Sequence, residues 1–205
     1  PVAVAFKYPN GAMKIRKFDE KKFHTQGPMK DAYLFGKDKF DPAAFSTITI
    51  VEGEYDALAL SDVLAKDSAV VSVRNAPSGF ADCKADWNYV NAFKKIVLCL
   101  DNDEPGQKAS RQIAALFDFN KVFKVTLNRH KDANAYVEAK EYHELREAWK
   151  AAKRYTPDNV ISSFSEIEQS LKNSKEGVLA TYPFSTLQKA LYGLHEGEVV
   201  VLKGE

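Results

Sequence analysis

Short apolar runs alternate with helical patterns over most of the chain. Runs rich in Val, Ile and Leu predict strands, and each is followed by a segment with apolar residues at helical spacing. Such alternation is typical of a mostly parallel sheet flanked by helices, the α/β class. The predicted strands are Ile48–Val51, Ala69–Val73, Ile96–Leu100 and Lys121–Leu127, and the predicted helices are Glu54–Lys66, Ala85–Lys94, Glu104–Phe117, Ala133–Lys140 and Tyr142–Lys153.

The N-terminal segment has a different pattern, with a period of two. Residues Val2–Tyr8 and Ala12–Phe18 alternate apolar and polar side chains, and Pro9-Asn10-Gly11 lies between them. This arrangement predicts a β-hairpin. A less regular segment follows as far as Gly36. We therefore expect a small β-rich subdomain over residues 1–47, ahead of an α/β domain over residues 48–153.

The C-terminal part begins with a predicted domain boundary at Arg154–Asn159. Ser165 and Glu168 form a capping box, which predicts a short amphipathic helix ending near Asn173. A strand is predicted at Glu198–Leu202. These patterns divide the remainder into a linker over residues 154–180 and the start of a further domain over residues 181–205.

Charge is distributed unevenly along the 205 residues, although the net charge is only +1. Before Thr49, nine lysines and arginines face five acidic residues. A basic segment beside an acidic site suits a polyanionic substrate. A solvated lysine-rich surface is the alternative interpretation.

Cysteine usage and hydropathy exclude several classes of protein. Cys83 and Cys99 are the only cysteines and have no CxxC spacing, so a structural zinc site is not expected. Cys99 lies in an apolar run and is predicted to be a buried packing residue. No secretory signal or membrane-length apolar run occurs, so we expect a cytoplasmic protein with no membrane partner.

Acidic residues follow two of the predicted strands directly. Ile48–Val51 ends in Glu52, and Ile96–Leu100 ends in Asp101 and Asp103. Parallel sheets place such residues together at the carboxyl ends of their strands. Clustered carboxylates repel one another unless a cation lies between them. Oxygen ligands without a nearby His or Cys cluster favour Mg²⁺ over zinc.

These motifs resemble the TOPRIM domain of primases, topoisomerases and some nucleases. The resemblance is stronger to the primase half of bacteriophage-type primase-helicases and to their mitochondrial relative Twinkle. Val51–Leu58 resembles the first TOPRIM motif, Leu100–Ala109 the acidic DxD motif, and Lys131–Asn134 the third acidic element of the phage family.

The resemblance implies catalytic roles for Glu52, Asp101 and Asp103. Glu52 is expected to act as a general acid or base or to position metals. Two Mg²⁺ or Mn²⁺ ions are implied, and no zinc in this chain. Structural alternatives are helix-dipole stabilisation for Asp56 and helix capping for Asp103 and Asp132. The implied metal ligands are Glu52, Asp56, Asp101, Asp103 and Asp132.

Basic and polar residues near these acids are candidates for contacts with nucleotides and DNA. The loop after the second predicted strand is Gly-rich in the phage family, whereas this chain carries Arg-Asn-Ala-Pro-Ser-Gly there. For the lysine in the helix after Asp103, a solvated surface role is the alternative. The candidates are Lys14, Arg16, Lys17, Arg74, Asn75, Lys108 and Lys131.

The resemblance implies a primase that joins ribonucleoside triphosphates into short RNA primers on a single-stranded DNA template. One alternative is a catalytically weak scaffold and DNA-binding domain of a Twinkle-like ring helicase. Another is a fragment of a TOPRIM nuclease or topoisomerase, which the Lys-Asp-Ala-Asn element disfavours. The zinc-binding module that precedes this region in the phage family has no counterpart in the sequence.

A helicase domain follows the primase in the resembled family. The linker helix is then expected to dock on a neighbouring subunit and close a hexameric or heptameric ring, with intramolecular packing as the alternative. Gly204 matches the first Gly of a phosphate loop, but no Lys-Ser/Thr follows it. We therefore expect a shortened chain without a helicase ATPase site of its own.

Overall fold

The computed structural model describes residues 2–19, 22–156, 178–191 and 193–195. The chain divides into two compact units, Pro1–Tyr155 and Thr156–Glu205. The predicted linker helix near Ser165–Asn173 and the predicted strand Glu198–Leu202 lie outside the described residues. The finer division into four regions remains a prediction.

The first unit begins with an antiparallel sheet of three strands in the order β1-β2-β3. The hairpin predicted from the alternating pattern is confirmed, and it turns at Asn10-Gly11, where Gly11 has a positive φ of 84°. The next strand pairs with the second one along its whole length. The strands are β1 (Ala3–Lys7), β2 (Met13–Lys17) and β3 (Phe23–Gln26).

The main sheet has five strands in the order β5-β4-β6-β7-β8. The first four run parallel, and β8 pairs antiparallel with β7. A central strand flanked on both sides by parallel neighbours explains why every residue of β4 is buried. These strands are β4 (Thr47–Val51), β5 (Ala69–Ser72), β6 (Lys95–Cys99), β7 (Val122–Lys124) and β8 (Lys153–Arg154).

Helices cover both faces of this sheet. Alternate residues of each strand point to opposite faces, so Ile48 and Ile50 belong to one apolar cluster and Val51 to the other. Each fully buried Ile or Leu stabilises the fold by roughly 1.5–3 kcal/mol. The first cluster includes side chains of α2 (Gly79–Ala85), α3 (Trp87–Asn91) and α4 (Glu104–Ala114), and the second includes side chains of α1 (Glu54–Leu64), α5 (Ala133–Glu138) and α6 (Tyr142–Lys150).

The predicted α/β class with a mostly parallel sheet and a small β-rich N-terminal part is confirmed. Several local predictions were wrong. The segment after the hairpin contains β3. The helix predicted at Ala85–Lys94 is the shorter α3, and a second short helix, α2, precedes it. The last predicted helix ends at Lys150, and β8 begins at Lys153. Asp86 separates the two short helices, and its carboxylate binds Lys37 rather than continuing a helical surface.

The described part of the second unit is small. It contains β9 (Val178–Ala180), α7 (Ser185–Leu191) and β10 (Leu194–His195), with β9 and β10 paired antiparallel. Within the described ranges, no helix combines the length and the apolar character needed to cross a membrane.

Candidate functional site

The carboxyl end of the parallel sheet brings together acids from separate motifs. β4 and β6 pair in register up to Val51 and Cys99, so the residues that follow them leave the sheet side by side. A cleft of about 300 Å³ opens there. Its lining comprises Lys14, Arg16, Phe23, Glu52, Gly53, Glu54, Tyr55, Asp56, Arg74, Asn75, Asp101, Lys131, Asp132 and Asn134.

Glu52 has a carboxylate oxygen that no described neighbouring group satisfies. Its Oε2 atom is buried and has no hydrogen-bond partner among the described residues. Burial and, to a smaller extent, the negative charges of Asp101 and Asp103 together raise the pKa of Glu52 to about 7, although a hydrogen bond from the backbone of Asp101 opposes the rise. A buried carboxylate oxygen without a donor is costly unless a cation or a proton reaches it. Glu52 is therefore suited to bind one of these near neutral pH.

Asp56 lies in the first turn of α1 and faces the third acidic element. Its Oδ1 accepts a hydrogen bond from the backbone N–H of Asn134 at 2.9 Å, across 78 positions of sequence. Burial nevertheless raises the pKa of Asp56 to about 7, and the charges of Asp132 and Asp101 act in the same direction. Asp56 thus joins α1 to α5 in addition to occupying a helix N-terminus.

Lys131 lies between two of the carboxylates. Its Nζ is 3.3 Å from Oδ2 of Asp101 and 3.2 Å from Oδ2 of Asp132. Burial raises the pKa of Asp101, whereas the Lys131 ammonium opposes that rise. The two carboxylates raise the pKa of Lys131 to about 12. The Lys131 ammonium therefore occupies a position of negative potential that would attract other cations.

Asp132 and Asp103 also act as helix caps. Oδ1 of Asp132 accepts from the N–H of Ala135 at 2.8 Å at the start of α5. Oδ1 of Asp103 accepts from the N–H of Gly106 at 3.0 Å at the start of α4. A Cβ on Gly106 would lie 2.2 Å from the carbonyl oxygen of Asp101, so the DxD turn requires glycine there. Capping occupies one oxygen of each carboxylate and leaves the other for further contacts.

Asn102, which sequence analysis left without a role, holds two acidic loops together. Its N–H donates to the carbonyl oxygen of Lys131 at 2.9 Å, and its Nδ2 donates to the carbonyl oxygen of Leu127 at 3.1 Å. These bonds fix the loop after β7 beside the loop after β6. The sequence shows only that Asn102 lies between two aspartates. It does not indicate which carbonyl groups the Asn102 side chain and backbone would bind.

Two of the predicted nucleotide-binding residues belong to a buried junction between the N-terminal sheet and the α/β core. Lys14 Nζ is 2.9 Å from Oε2 of Glu54, and the Tyr8 hydroxyl donates to Oε1 of the same carboxylate. The Arg74 guanidinium binds Asp82, which is fully buried. We call these five residues the buried junction. Its contacts are structural, so nucleotide contacts by Lys14 and Arg74 remain a prediction.

Other predicted binding residues occupy different positions. Arg16 faces the cleft, with its guanidinium carbon 5.7 Å from the centre of the Tyr55 ring. Lys17 follows it in β2 and therefore points to the opposite face of the sheet. Asn75 lines the cleft and caps the turn at Ser78. Lys108 lines a separate depression beside α4 and does not line the acidic cleft.

The acids fit a divalent ion that completes its coordination with other ligands. Their oxygens are of the hard type that Mg²⁺ prefers, and Glu52 Oε2 is buried without a donor. In the described part of the chain, however, no three His, Cys, Asp or Glu side chains converge closely enough to hold an ion alone. Protein sites for Mg²⁺ often supply one or two carboxylates, with water and substrate phosphates as the other ligands.

Comparison with known proteins agrees with this geometry. Residues 49–137, which span β4 to α5, match the family described as Toprim-like. The chain is 29% identical over 196 residues to the DNA helicase/primase of Enterobacteria phage T3, covering 93% of this chain and 34% of that protein. It is 33% identical over 141 residues to the chloroplastic/mitochondrial Twinkle homolog of Arabidopsis thaliana, covering 60% and 20% of the two chains.

A solved structure extends the similarity to three dimensions. It shows bacteriophage T7 lagging-strand DNA polymerase interacting with primase domains of two subunits bound to an RNA/DNA hybrid and dTTP. The chain matches it with a TM-score of 0.65 and 29% identity, over 75% of this chain and 78% of that chain.

The acid-lined edge lies within residues 49–137, the part of the chain that matches the Toprim-like family. The resemblance to the primase part of bacteriophage-type primase-helicases, predicted from the three acidic motifs, is confirmed. This chain spans about a third of the length of the phage T3 relative and a fifth of the Twinkle homolog. Primase domains of the Toprim class depend on metal ions.

Proposed function

We propose that this chain is the primer-synthesising part of a replicative primase-helicase, which makes short RNA primers on single-stranded DNA. The observation that carries the proposal is the cleft itself, which Glu52, Asp56, Asp101 and Asp132 line together with the cationic side chains of Arg16 and Lys131. Carboxylates beside cations suit a reaction between phosphorylated substrates, because the cations bind phosphates while the acids hold metal ions or protons.

The acids would bind the metal ions that nucleotidyl transfer requires. Two ions of Mg²⁺ or Mn²⁺ would be held by the carboxylates of Glu52, Asp56, Asp101, Asp103 and Asp132. The chemistry that such ions supply when bound is activation of the primer 3′-hydroxyl and stabilisation of the pyrophosphate leaving group. Glu52 has a pKa near 7, so its carboxylate is matched to accept a proton at neutral pH.

The cationic residues orient the substrates. Arg16 and Lys131 are the cationic candidates that line the cleft without belonging to the buried junction. Asn75 lines the same cleft at the end of β5. Lys17 lies on the opposite face of β2, and Lys108 lies beside α4. Both are outside the cleft, so we assign them contacts with a longer DNA strand rather than with the nucleotide.

Further partners follow from the relatives and lie partly outside the described residues. We propose ribonucleoside triphosphates, a single-stranded DNA template and the growing RNA primer as ligands, and a helicase domain of the same protein as the neighbour. The helix predicted at residues 165–173 is proposed to contact an adjacent subunit.

The test is incorporation of labelled ribonucleotides on single-stranded DNA with Mg²⁺ or Mn²⁺, beside an Asp101→Ala/Asp103→Ala variant. We expect product from the wild-type chain and none from the variant. An equally active variant would overturn the assignment of these acids. A wild-type chain that binds DNA without making product would favour a scaffold, the second candidate that the Twinkle homolog supports.

A further inference from the structure

One face of the N-terminal sheet changes character from strand to strand. Directly opposed residues in antiparallel strands lie on the same face. The register pairs Phe6 with Lys14, and Arg16 with Phe23. Since Lys14 and Arg16 are two positions apart, all four side chains share one face. Crossing this face from β1 to β3, the residues change from apolar to cationic and then to an aromatic ring.

The apolar part of this face is used for packing. Phe6 is only 3% exposed, and its ring makes an edge contact with Tyr55 at 5.0 Å between centroids. A second edge contact joins it to Phe35 at 5.9 Å. These contacts fix the sheet on the first turn of α1, next to Gly53 and Glu52. The far side of the same face is thereby held over the acidic cleft.

Phe23 lies at that far side and, unlike Phe6, is not buried. It belongs to the edge strand β3, its residue is 37% exposed, and it lines the cleft. The Lys14 ammonium is 4.5 Å from its ring centre and the Arg16 guanidinium carbon is 5.5 Å from it. Lys14 is neutralised by Glu54, so the Arg16 guanidinium is the cation left to attract a phosphate beside this ring. An exposed ring next to a cation at a cleft is the combination that binds single-stranded nucleic acids, through stacking on bases and attraction of phosphates.

We propose that Phe23 is a stacking platform for one unpaired nucleobase at the mouth of the acidic cleft. The proposal rests on the proposed function and adds a binding position to it. Arg16, directly opposite Phe23 in β2, is placed to contact the phosphate beside the stacked base. The base belongs either to the template strand or to the incoming ribonucleotide, and both present the same aromatic face.

A matched aromatic pair elsewhere serves as the control. Phe80 on α2 is 38% exposed, and Lys84 lies 5.8 Å from the centre of its ring. Its exposure and its cationic neighbour resemble those of Phe23, but it does not line the acidic cleft. A general effect of removing an exposed ring beside a cation would therefore appear equally in Phe80→Leu.

The experiment compares two fluorescently labelled strands, a short oligothymidylate and an abasic strand with the same number of phosphates. With the wild-type chain, the oligothymidylate should bind more tightly. Phe23→Leu should weaken its binding by about tenfold, the effect of losing one stacked base. Binding of the abasic strand should stay within about twofold, because no charge is removed. Phe23→Trp should retain the preference, and Phe80→Leu should match the wild type.

A fluorescent ribonucleoside triphosphate in a third titration distinguishes the two sources of the base. Loss of affinity only for this nucleotide in Phe23→Leu would assign the platform to the incoming base, and loss only for the oligothymidylate would assign it to the template. Equal losses on the thymidylate and abasic strands, or unchanged affinities for both strands and for the nucleotide, would overturn the proposal. Ribonucleotide incorporation by the wild-type chain, measured alongside, shows separately whether the proposed function stands.

Discussion

Glu52 and Glu54 are two residues apart, yet they lie in contrasting surroundings. The carboxylate of Glu54 is paired with a cation, whereas that of Glu52 lies among other acids. Glu54 is 1% exposed and binds the Lys14 ammonium and the Tyr8 hydroxyl in the buried junction. Glu52 keeps one buried oxygen without a partner and is surrounded by other acids. The more deeply buried acid is the better satisfied one.

The difference separates a carboxylate that stabilises the fold from one that is available for chemistry. A buried charge is tolerated when it is paired and hydrogen-bonded. An acid held among like charges keeps a raised pKa and attracts cations or protons. We therefore expect substitutions in the two regions to affect different measurements.

The largest expected effect concerns activity at Glu52. Glu52→Gln should lower ribonucleotide incorporation by roughly 10²- to 10⁴-fold, the usual contribution of a general acid or base. The free energy of unfolding should remain equal or rise, because the substitution removes repulsion with Asp101 and Asp103. Steady-state incorporation and urea denaturation measure the two quantities.

Asp62→Asn supplies the control for this substitution, because Asp62 is an exposed residue in α1 that does not line the cleft. It should leave incorporation unchanged. Glu52→Gln with full activity would remove Glu52 from the proposed catalytic set.

The next effect concerns stability at Glu54. Glu54→Ala leaves the Lys14 ammonium, whose side chain is 15% exposed, without its counter-ion. Removing one partner of a buried ion pair typically costs about 3–5 kcal/mol of unfolding free energy. Urea denaturation should show this loss. Asp38→Ala, which breaks the exposed pair with Lys39, should cost much less. Equal losses in the two variants would contradict the structural role of the junction.

The two glutamates also show how far the sequence alone could predict this molecule. The acids at the sheet edge were predictable, because local apolar runs locate the parallel strands and parallel strands end at one edge. The partner of Glu54 was not, since Lys14 lies 40 positions earlier and only the packing of the N-terminal sheet brings it near.

Elements without a buried face were missed for a related reason. All four residues of β3 are exposed, so its sequence carries no apolar periodicity to reveal a strand. Phe23 consequently had no role in the sequence analysis, although it lines the cleft. The contacts of Asn102 and Arg74 likewise depend on loops that are distant in sequence.

A pH dependence should distinguish the two regions in protein treated with a chelator. The folded-state pKa values of Glu52 and Asp56 are raised to about 7, above their ordinary values of 4.5 and 3.8. The folded state then binds more protons than the unfolded state between these values. The stability from these groups is present below the ordinary values and is lost as pH rises through 7.

Denaturation at a series of pH values measures this slope, and Glu52→Gln should remove its own part of it. Glu54→Gln should leave the slope in this range, since the substitution retains both Glu52 and Asp56. Saturating Mg²⁺ should flatten the slope in the wild type, because a bound cation favours the ionised carboxylates. A slope unchanged in Glu52→Gln would contradict the raised pKa of Glu52.

The smallest effect on stability is expected at Lys131. It tests whether an exposed lysine beside the acids contributes to the fold as Lys14 in the buried junction does. The Lys131 side chain is 68% exposed, so its pairs with Asp101 and Asp132 should add little to stability. Its ammonium does lower the pKa of Asp101. Lys131→Met should therefore raise the pKa of Asp101, as followed by carboxyl NMR, while urea denaturation changes little. Lys108→Met should leave the Asp101 titration unchanged, because Lys108 lies outside the cleft. A large loss of stability in Lys131→Met would instead place this lysine with Lys14, among the cations that hold the fold together.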